Sequence, residues 1–504
     1  MGAHTQTGRA WRVGLVAAIA AAVLAGGVAD ADPGGDGVGA PGIGDGYFPR
    51  YGNGGYEVDH YDVRLQYDPA TDRLWGATTI LARATQDVRR FNLDFGLPVS
   101  SITVNGRDAR HATSPEHELE VTPARELTNG QRMSITVRYD AIPSQVKIGS
   151  ITAWRRTSDG AVAVGQPQIS NWWFPSNDHP LDKATYDISV GVPTGVEVVA
   201  NGVQPTAPAP YRPGWTRWSW RTVRPMQTYL AFVAIGQYDV TSDVAPDGKP
   251  VVMAYSENMG DAGPAARASI EQTLPIAEWA KGIFGAYPFE AYGGVGLPQD
   301  SVAFALETQT RPVYGLSFFR GGSSPYVVVH ELTHQWYGNS TALADWRDIW
   351  LHEGFATYAQ WMYSEHIGEG TAQELFDFNY DLVPANDPFW QVKPGDPGAA
   401  NIFHLAVYRR GAMALHQLRL RIGDEAFFPL LRGFTADRRY GNANVAAFVR
   451  EAERVSGQQL TDLFDTWLYT TGRPPLPASA AARSASAKPP RSAHRIVMGE
   501  AHGH

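Results

Sequence analysis

The hydrophobic period changes once along this chain, and that change limits what it can fold into. Between Tyr47 and about residue 240, apolar residues alternate with polar ones: Tyr61, Val63, Leu65 and Tyr67, then Met133, Ile135, Val137 and Tyr139, then Ile188, Val190 and Val192. A period of two belongs to strands with one buried face. Asn105-Gly106 and Asn129-Gly130 punctuate the runs with turns. Beyond DVAPDGKP (243 to 250) the spacing becomes helical, in AARASIEQTLPIAEWAKGIFG, YRRGAMALHQLRLRIG and NANVAAFVREAERV. The expected fold is multidomain α+β, an all-β domain over 47–242 followed by a helix-rich domain over 243–477. At 504 residues the chain exceeds what one compact core serves.

The flanks read differently. Residues 1–31 carry Arg9 and Arg12, an Ala/Val/Leu/Ile run from Val13, and Ala29-Asp30-Ala31, the pattern of a secretory signal peptide cut before Asp32. The run is short and broken by Gly26-Gly27, which argues against a stable membrane anchor and for a secreted, extracellular protein. Residues 32–46 (DPGGDGVGAPGIGDG) read as a flexible Gly-rich lead-in, and 478–504, rich in Ala, Ser and Pro, as a disordered tail. With no Cys there is neither a disulfide nor a lipidated cleavage site, so the core alone must hold the fold. A formal charge of -9 with no Lys/Arg run argues against nucleic acid as a partner.

The chemistry concentrates in VVVHELTHQWYGN (327 to 339). Residues four apart on a helix lie about 40° apart around its axis, so His330 and His334 offer two imidazoles side by side, the bite of one divalent ion. Glu331 lies about 100° round from His330, within reach of a water on that ion without being a ligand. Two imidazoles leave zinc short of the three protein ligands of a catalytic site. A metzincin would place a histidine six beyond His334, but that position is Ser340. In DWRDIWLHEGFATYAQW, Glu353 shares a helical face with Trp346, Ile349, Trp350, Ala356 and Thr357. A carboxylate among bulky apolar side chains needs a partner such as a cation, and zinc serves. His330, His334 and Glu353 are thus the metal-ligand candidates, for one Zn2+ per chain.

This constellation, with eighteen residues between His334 and the Glu353 of LHEGFA, resembles the gluzincin aminopeptidases typified by aminopeptidase N (membrane alanyl aminopeptidase) and the leukotriene hydrolases. WFPSNDHPLDKATYDISVGVP (173 to 193), FGAYPFEAYG (284 to 293), VYRRGAMALHQL (407 to 418) and LFDTWLYTTGRPPLP (463 to 477) look like signatures of that family in its order. The resemblance covers about residues 47–477. It implies a β-saddle N-terminal domain on a thermolysin-like catalytic domain, a helical region after Glu353 closing the cleft, and a short form without the family's large C-terminal helical domain. It implies a zinc metallo-aminopeptidase acting on peptides with a free N-terminus.

Residue by residue, the resemblance makes Glu331 the general base and matches Tyr408 in VYRRG to the tyrosine that serves the oxyanion, with Arg410 replacing the family's Lys. FALETQT (304 to 310) matches the family's Gly-x-Met-Glu-Asn loop and puts Glu307 at the amine-binding position, near Ala305, with Phe304, Leu306 and Thr308 replacing Gly, Met and Asn. Gln166, nine residues before Pro175, falls at the second amine contact. His352 stands where the family has Asn; beside Glu353 it points about 100° away, which favours packing over ligation. Asp348 is a candidate to orient a zinc histidine, and Asn339, though it heads a sequon, reads as structural. Trp172, Trp173, Trp336 and Tyr337 suit an apolar first side chain in the substrate.

Two other readings compete. An epoxide hydrolase of the leukotriene type would use the same zinc machinery, and no residue singles it out. A non-catalytic scaffold should have lost part of that machinery, whereas His330, Glu331, His334, Glu353 and Tyr408 are all present. A purely structural zinc site is disfavoured by the absence of Cys. A monomer is the expected state.

Overall fold

The computed structural model describes residues 37–114, 118–148, 152–476 and 489–500. The signal peptide expected at 1–31 lies outside the described residues. Alternation in the first half produces an eight-stranded sheet, in the order Ala209–Arg212, Trp215–Met226, Ala184–Pro193, Tyr56–Asp68, Arg73–Ala84, Arg132–Ala141, Val99–Val104 and Arg107–Asp108. Its register puts the apolar sets on one face: Tyr61, Val63 and Leu65 pair with Tyr186, Ile188 and Val190, and all six are buried. One glycine in this sheet is required by packing. A Cβ on Gly76 would lie 2.0 Å from the Tyr139 ring, whose hydroxyl donates to the Trp173 carbonyl at 2.8 Å. A four-stranded sheet (Glu197–Ala200, Val233–Gly236, Ala161–Ala163, Trp154–Arg156) and a three-stranded one (Phe91–Asp94, Glu118–Thr122, Arg110–Thr113) complete this half.

The second half starts earlier than the change of period implied. Strand Tyr238–Val244 pairs along its length with Pro250–Ser256, and the two open a five-stranded sheet continued by Tyr292–Gly296, Val313–Tyr314 and the edge strand Ala305–Leu306. The expected boundary at 242/243 thus cuts through a strand of the second half, because DVAPDGKP is a hairpin turn and not a linker. Helices follow: α1 (Gly263–Ile270), α2 (Thr273–Phe284), α3 (Pro325–Thr333), α4 (Trp350–His366), α5 (Ala372–Leu382), α6 (Leu405–Ile422), α7 (Asp424–Asp437), α8 (Val445–Ser456) and α9 (Thr461–Phe464). The single helical run read over 265–285 is split into α1 and α2. Pro275 falls in the first turn of α2, where its missing N–H leaves no hydrogen bond broken.

Two expectations of disorder are corrected where the structure describes them, at 37–46 and 489–500, while 32–36, 478–488 and 501–504 lie outside the described residues. Residues 37–46 form a strap across both halves. Gly39 N donates to Arg90 O at 2.8 Å, and the buried Asp45 carboxylate accepts from the amides of Tyr47, Phe48 and Trp346 and lies 3.1 Å from His179 Nε2. Asp45 is what the Gly-rich composition concealed: one carboxylate with four donors replaces the missing apolar anchors. Within the tail, residues 489–500 carry a helix, α10 (Ala493–Glu500). Ala493 and Ile496 are fully buried, and Arg495 pairs with Glu369. Among the described residues no helix is long and apolar enough to cross a membrane.

Candidate functional site

Helix α3 begins with Pro325 at its first position and buries Val328, Val329 and Leu332, which aims His330 and His334 at the neighbouring α4. The turn Trp346–Asp348, capped by the Asp345 carboxylate accepting from Arg347 N at 2.9 Å, feeds into α4, and Glu353 sits in that helix's first turn. Glu353 Oε2 lies 3.2 Å from His330 Nε2 and 3.5 Å from His334 Nε2, all three residues being buried. His334 Nδ1 is 3.0 Å from the Tyr337 carbonyl and donates to it, which fixes the tautomer and turns the Nε2 lone pair toward Glu353.

Helix α6 brings in Tyr408. It crosses α4 where Gly354 faces Gly411; Trp350 Nε1 donates to the Gly411 carbonyl at 3.1 Å, and no side chain separates the backbones. One turn before the crossing, the Tyr408 ring stacks on His330 with centroids 6.0 Å apart. Arg410 points the other way. Its guanidinium donates to the carbonyls of Trp390, Val392, Thr466, Trp467 and Thr470, so the departure from the family's Lys bears on the C-terminal packing and not on the site.

Glu307 completes the cluster: its carboxylate, with Glu331 and His334, has ligand atoms within 4.8 Å of one another. The loop that carries it is held from both halves. Gln335 Nε2 and Asn339 Nδ2 donate to the Glu307 carbonyl at 3.0 and 2.7 Å, and Asn201 Nδ2 donates to the Gln309 carbonyl at 3.0 Å. Asn339 is fully buried, so the sequon asparagine is a structural residue. On the side chain, Gln166 Nε2 donates to Glu307 Oε1 at 3.3 Å, joining the two residues that sequence reasoning placed at the amine. Ala305 lies on the edge strand, paired with Tyr314. Tyr229, whose hydroxyl donates to the same Oε1 at 2.9 Å, was missed: a lone tyrosine in a short turn carries no sequence signal.

Two expectations fail, those for Asp348 and for the aromatic residues, while His352 packs as expected. Asp348 does not orient a histidine; its Oδ1 accepts from Val445 N at 3.0 Å and starts α8. His352 is buried with its ring 6.1 Å from that of His334, and burial, with His334 nearby, pushes it down to about 3, so it stays neutral. Trp172, Trp173, Trp336 and Tyr337 are buried at 3% exposure or less, and three hydrogen-bond to backbone carbonyls, so they carry no information about a substrate side chain.

The electrostatics fit a dication. Glu307, Glu331 and Glu353 are exposed by only 0%, 2% and 0%, a concentration of buried carboxyl groups that calls for a cation beside them. Burial, with Glu307 and Glu353 close by, holds the Glu331 carboxyl well above its ordinary range. Burial lowers His330 but is outweighed at His334, which Glu353, Glu307 and Glu331 push up to about 10. A field that draws a proton to His334 draws a doubly charged ion more strongly. Two imidazole nitrogens and one carboxylate are the donor set of a catalytic zinc, so His330, His334 and Glu353 form a candidate zinc site.

Known proteins agree with this geometry. Residues 57–230 match the Peptidase M1 N-terminal domain and residues 322–467 the Peptidase family M1 domain. The chain is 25% identical over 326 residues to an aminopeptidase N of Streptomyces lividans, covering 59% of this chain and 36% of that protein. To an aminopeptidase N of Lactococcus lactis it is 28% identical over 325 residues, covering 60% and 38%. It therefore spans under two fifths of the length of these two relatives. A crystal structure of the M1 zinc metallopeptidase of Deinococcus radiodurans superposes with a TM-score of 0.76 at 27% identity, covering 86% of this chain and 98% of that one. A mutant of that enzyme has been crystallised with a Tyr-Ser-Ala substrate, and a mutant two-domain M1 zinc metallopeptidase, 27% identical to this chain, with L-tryptophan. By its β-rich N-terminal domain and its helix-rich catalytic domain together, the chain belongs to peptidase family M1.

Proposed function

We propose that this chain is a secreted zinc aminopeptidase that removes single residues from the free N-termini of peptides. The observation that carries this reading is a pair of buried acceptors, Glu307 Oε2 and Gln166 Oε1, neither of which has a hydrogen-bond partner among the described residues. A substrate α-ammonium supplies the N–H groups they need. An acetylated N-terminus would leave them buried and unpaired, at about 1–3 kcal/mol each. The Tyr-Ser-Ala substrate of the Deinococcus relative is a peptide of the same kind.

His330, His334 and Glu353 would hold the zinc ion, which when bound lowers the pKa of a water to near 7 and polarises the scissile carbonyl. Glu331, next to His330 on α3, would take the proton of the attacking water and pass it to the departing amine. Tyr408, stacked on His330, is the donor for the developing oxyanion. Ala305, on the edge strand, borders the path of the substrate backbone.

The test is hydrolysis of aminoacyl and N-acetyl-aminoacyl fluorogenic substrates with and without chelator. Chelator-sensitive cleavage of the free-amine substrates alone, reduced about 10²- to 10⁴-fold in Glu331→Gln, is expected. Equal cleavage of both substrate classes would sink the aminopeptidase reading. Export rests on the Arg9/Arg12 and Ala29-Asp30-Ala31 pattern, and N-terminal sequencing of the mature protein should begin at Asp32.

A further inference from the structure

The buried Tyr229 hydroxyl reaches Glu307 Oε1 at 2.9 Å, closer than Gln166 Nε2 at 3.3 Å. Glu307 lies in a cluster with Glu331 and His334, ligand atoms within 4.8 Å of one another, so rotation of its carboxylate would turn an oxygen toward the metal site that His334 serves. A carboxylate beside a metal ligand has two uses, amine acceptor or extra ligand, and only its orientation separates them. A donor fixed on one oxygen sets that orientation.

Tyr229 is itself fixed from three sides. Its ring meets Trp346 edge-on at 5.6 Å, and the Trp346 amide is held by Asp45 of the strap. The preceding Thr228 hydroxyl donates to Asp178 Oδ1 at 2.5 Å, and Gln227 Nε2 donates to the Gly338 carbonyl at 2.8 Å, next to Asn339, which holds the Glu307 backbone. The turn Thr228–Leu230 therefore connects the N-terminal half to the zinc helix and to the Glu307 loop at once.

We infer that Tyr229 is a positioning residue for amine recognition: by holding Oε1 of Glu307 it presents Oε2 to the substrate α-ammonium and keeps that carboxylate off the metal. The inference rests on the aminopeptidase reading and extends it to a residue that touches neither substrate nor ion.

Calorimetric titration of L-tryptophan and N-acetyl-L-tryptophan into the zinc-loaded full chain tests it, in the parent, Tyr229→Phe, Glu307→Ala and the double variant. Phe keeps the ring against Trp346 and removes only the hydroxyl. Tyr229→Phe is expected to bind free tryptophan roughly ten-fold or more weakly, the effect of one hydrogen bond to a charged group, with the acetylated ligand unaffected. The double variant should bind no more weakly than Glu307→Ala alone, since one residue acts through the other. Parent-like binding by Tyr229→Phe, equal losses on both ligands, or an additive loss in the double variant would overturn the inference and leave the aminopeptidase reading standing. A parent protein with no preference for the free amine overturns that reading, and the inference with it. If Tyr229→Phe does not fold, Trp346→Phe, which loosens the ring but keeps the hydroxyl, must weaken free tryptophan alone; unchanged binding there overturns the inference.

Discussion

Gly354 and Gly411 touch backbone to backbone: a Cβ built on Gly411 would lie 3.1 Å from the Gly354 Cα and 2.5 Å from Trp350 Cδ1. The buried indole has nowhere to go, since its Nε1 is bonded to the Gly411 carbonyl. Gly411→Ala is expected to push α6 off α4, at about 1–3 kcal/mol of overpacking. Tyr408 moves with α6, so kcat should fall more than KM rises. Steady-state kinetics beside thermal unfolding would check it, and an unchanged kcat in a destabilised variant would show that Tyr408 does not depend on the crossing.

Arg410 offers a test that spares the site. Lys brings three donors where Arg brings five, and the five carbonyls around Arg410 belong to two separate segments, 390–392 and 466–470. Arg410→Lys should destabilise by about 2–3 kcal/mol through buried carbonyls left unpaired, with zinc content unchanged. Urea unfolding and metal analysis would read this out.

Metal removal should be visible in stability. With three buried carboxyl groups facing His330 and His334, the metal-free protein relies on protons at His334 and Glu331 in place of the ion. Zinc added to chelated protein is expected to raise the melting temperature progressively, each ten-fold rise in free zinc above Kd adding about 1.4 kcal/mol. A melting temperature indifferent to zinc in scanning calorimetry would count against the site.

Lys183 predicts a pH dependence. Its Nζ donates to the carbonyls of Ser340 and Gly441, and burial pushes the ammonium down to about 7 from an ordinary 10.5. Between those values the unfolded chain holds a proton that the folded protein does not, so this residue makes stability rise with pH, by up to about 1.4 kcal/mol per unit. Urea midpoints at pH 7, 8, 9 and 10 should therefore climb in the parent relative to Lys183→Met. A constant offset between the two proteins would mean that Lys183 keeps its charge.

What could be read from the sequence was what repeats at a fixed spacing. His330 and His334 are one helical turn apart, and Tyr61, Val63 and Leu65 alternate, so the geometry of a helix or strand alone brings them together. Glu353 needed a stronger inference, from the apolar face it shares with Trp346 and Trp350, and that face is buried. Tyr229 and Asp45 gave no signal because their partners, Glu307 in one case and Trp346 and His179 in the other, are brought near only by the folded chain. Asp348 misled for the opposite reason: it is close to Glu353 in sequence, yet its carboxylate is taken by a helix nearly a hundred residues further on.

The strap at residues 37–46 also orders events in time. Asp45 accepts from an amide 301 positions later, and Tyr47 reaches residues 349 and 351 positions away. At a synthesis rate of about 5–20 residues per second, the strap waits roughly 15–60 s for the surface it binds. Asp45, at the end of the strap, thus reaches its full set of partners only after the first zinc helix and the turn ahead of α4 have been made, a latch that closes late on a segment made early.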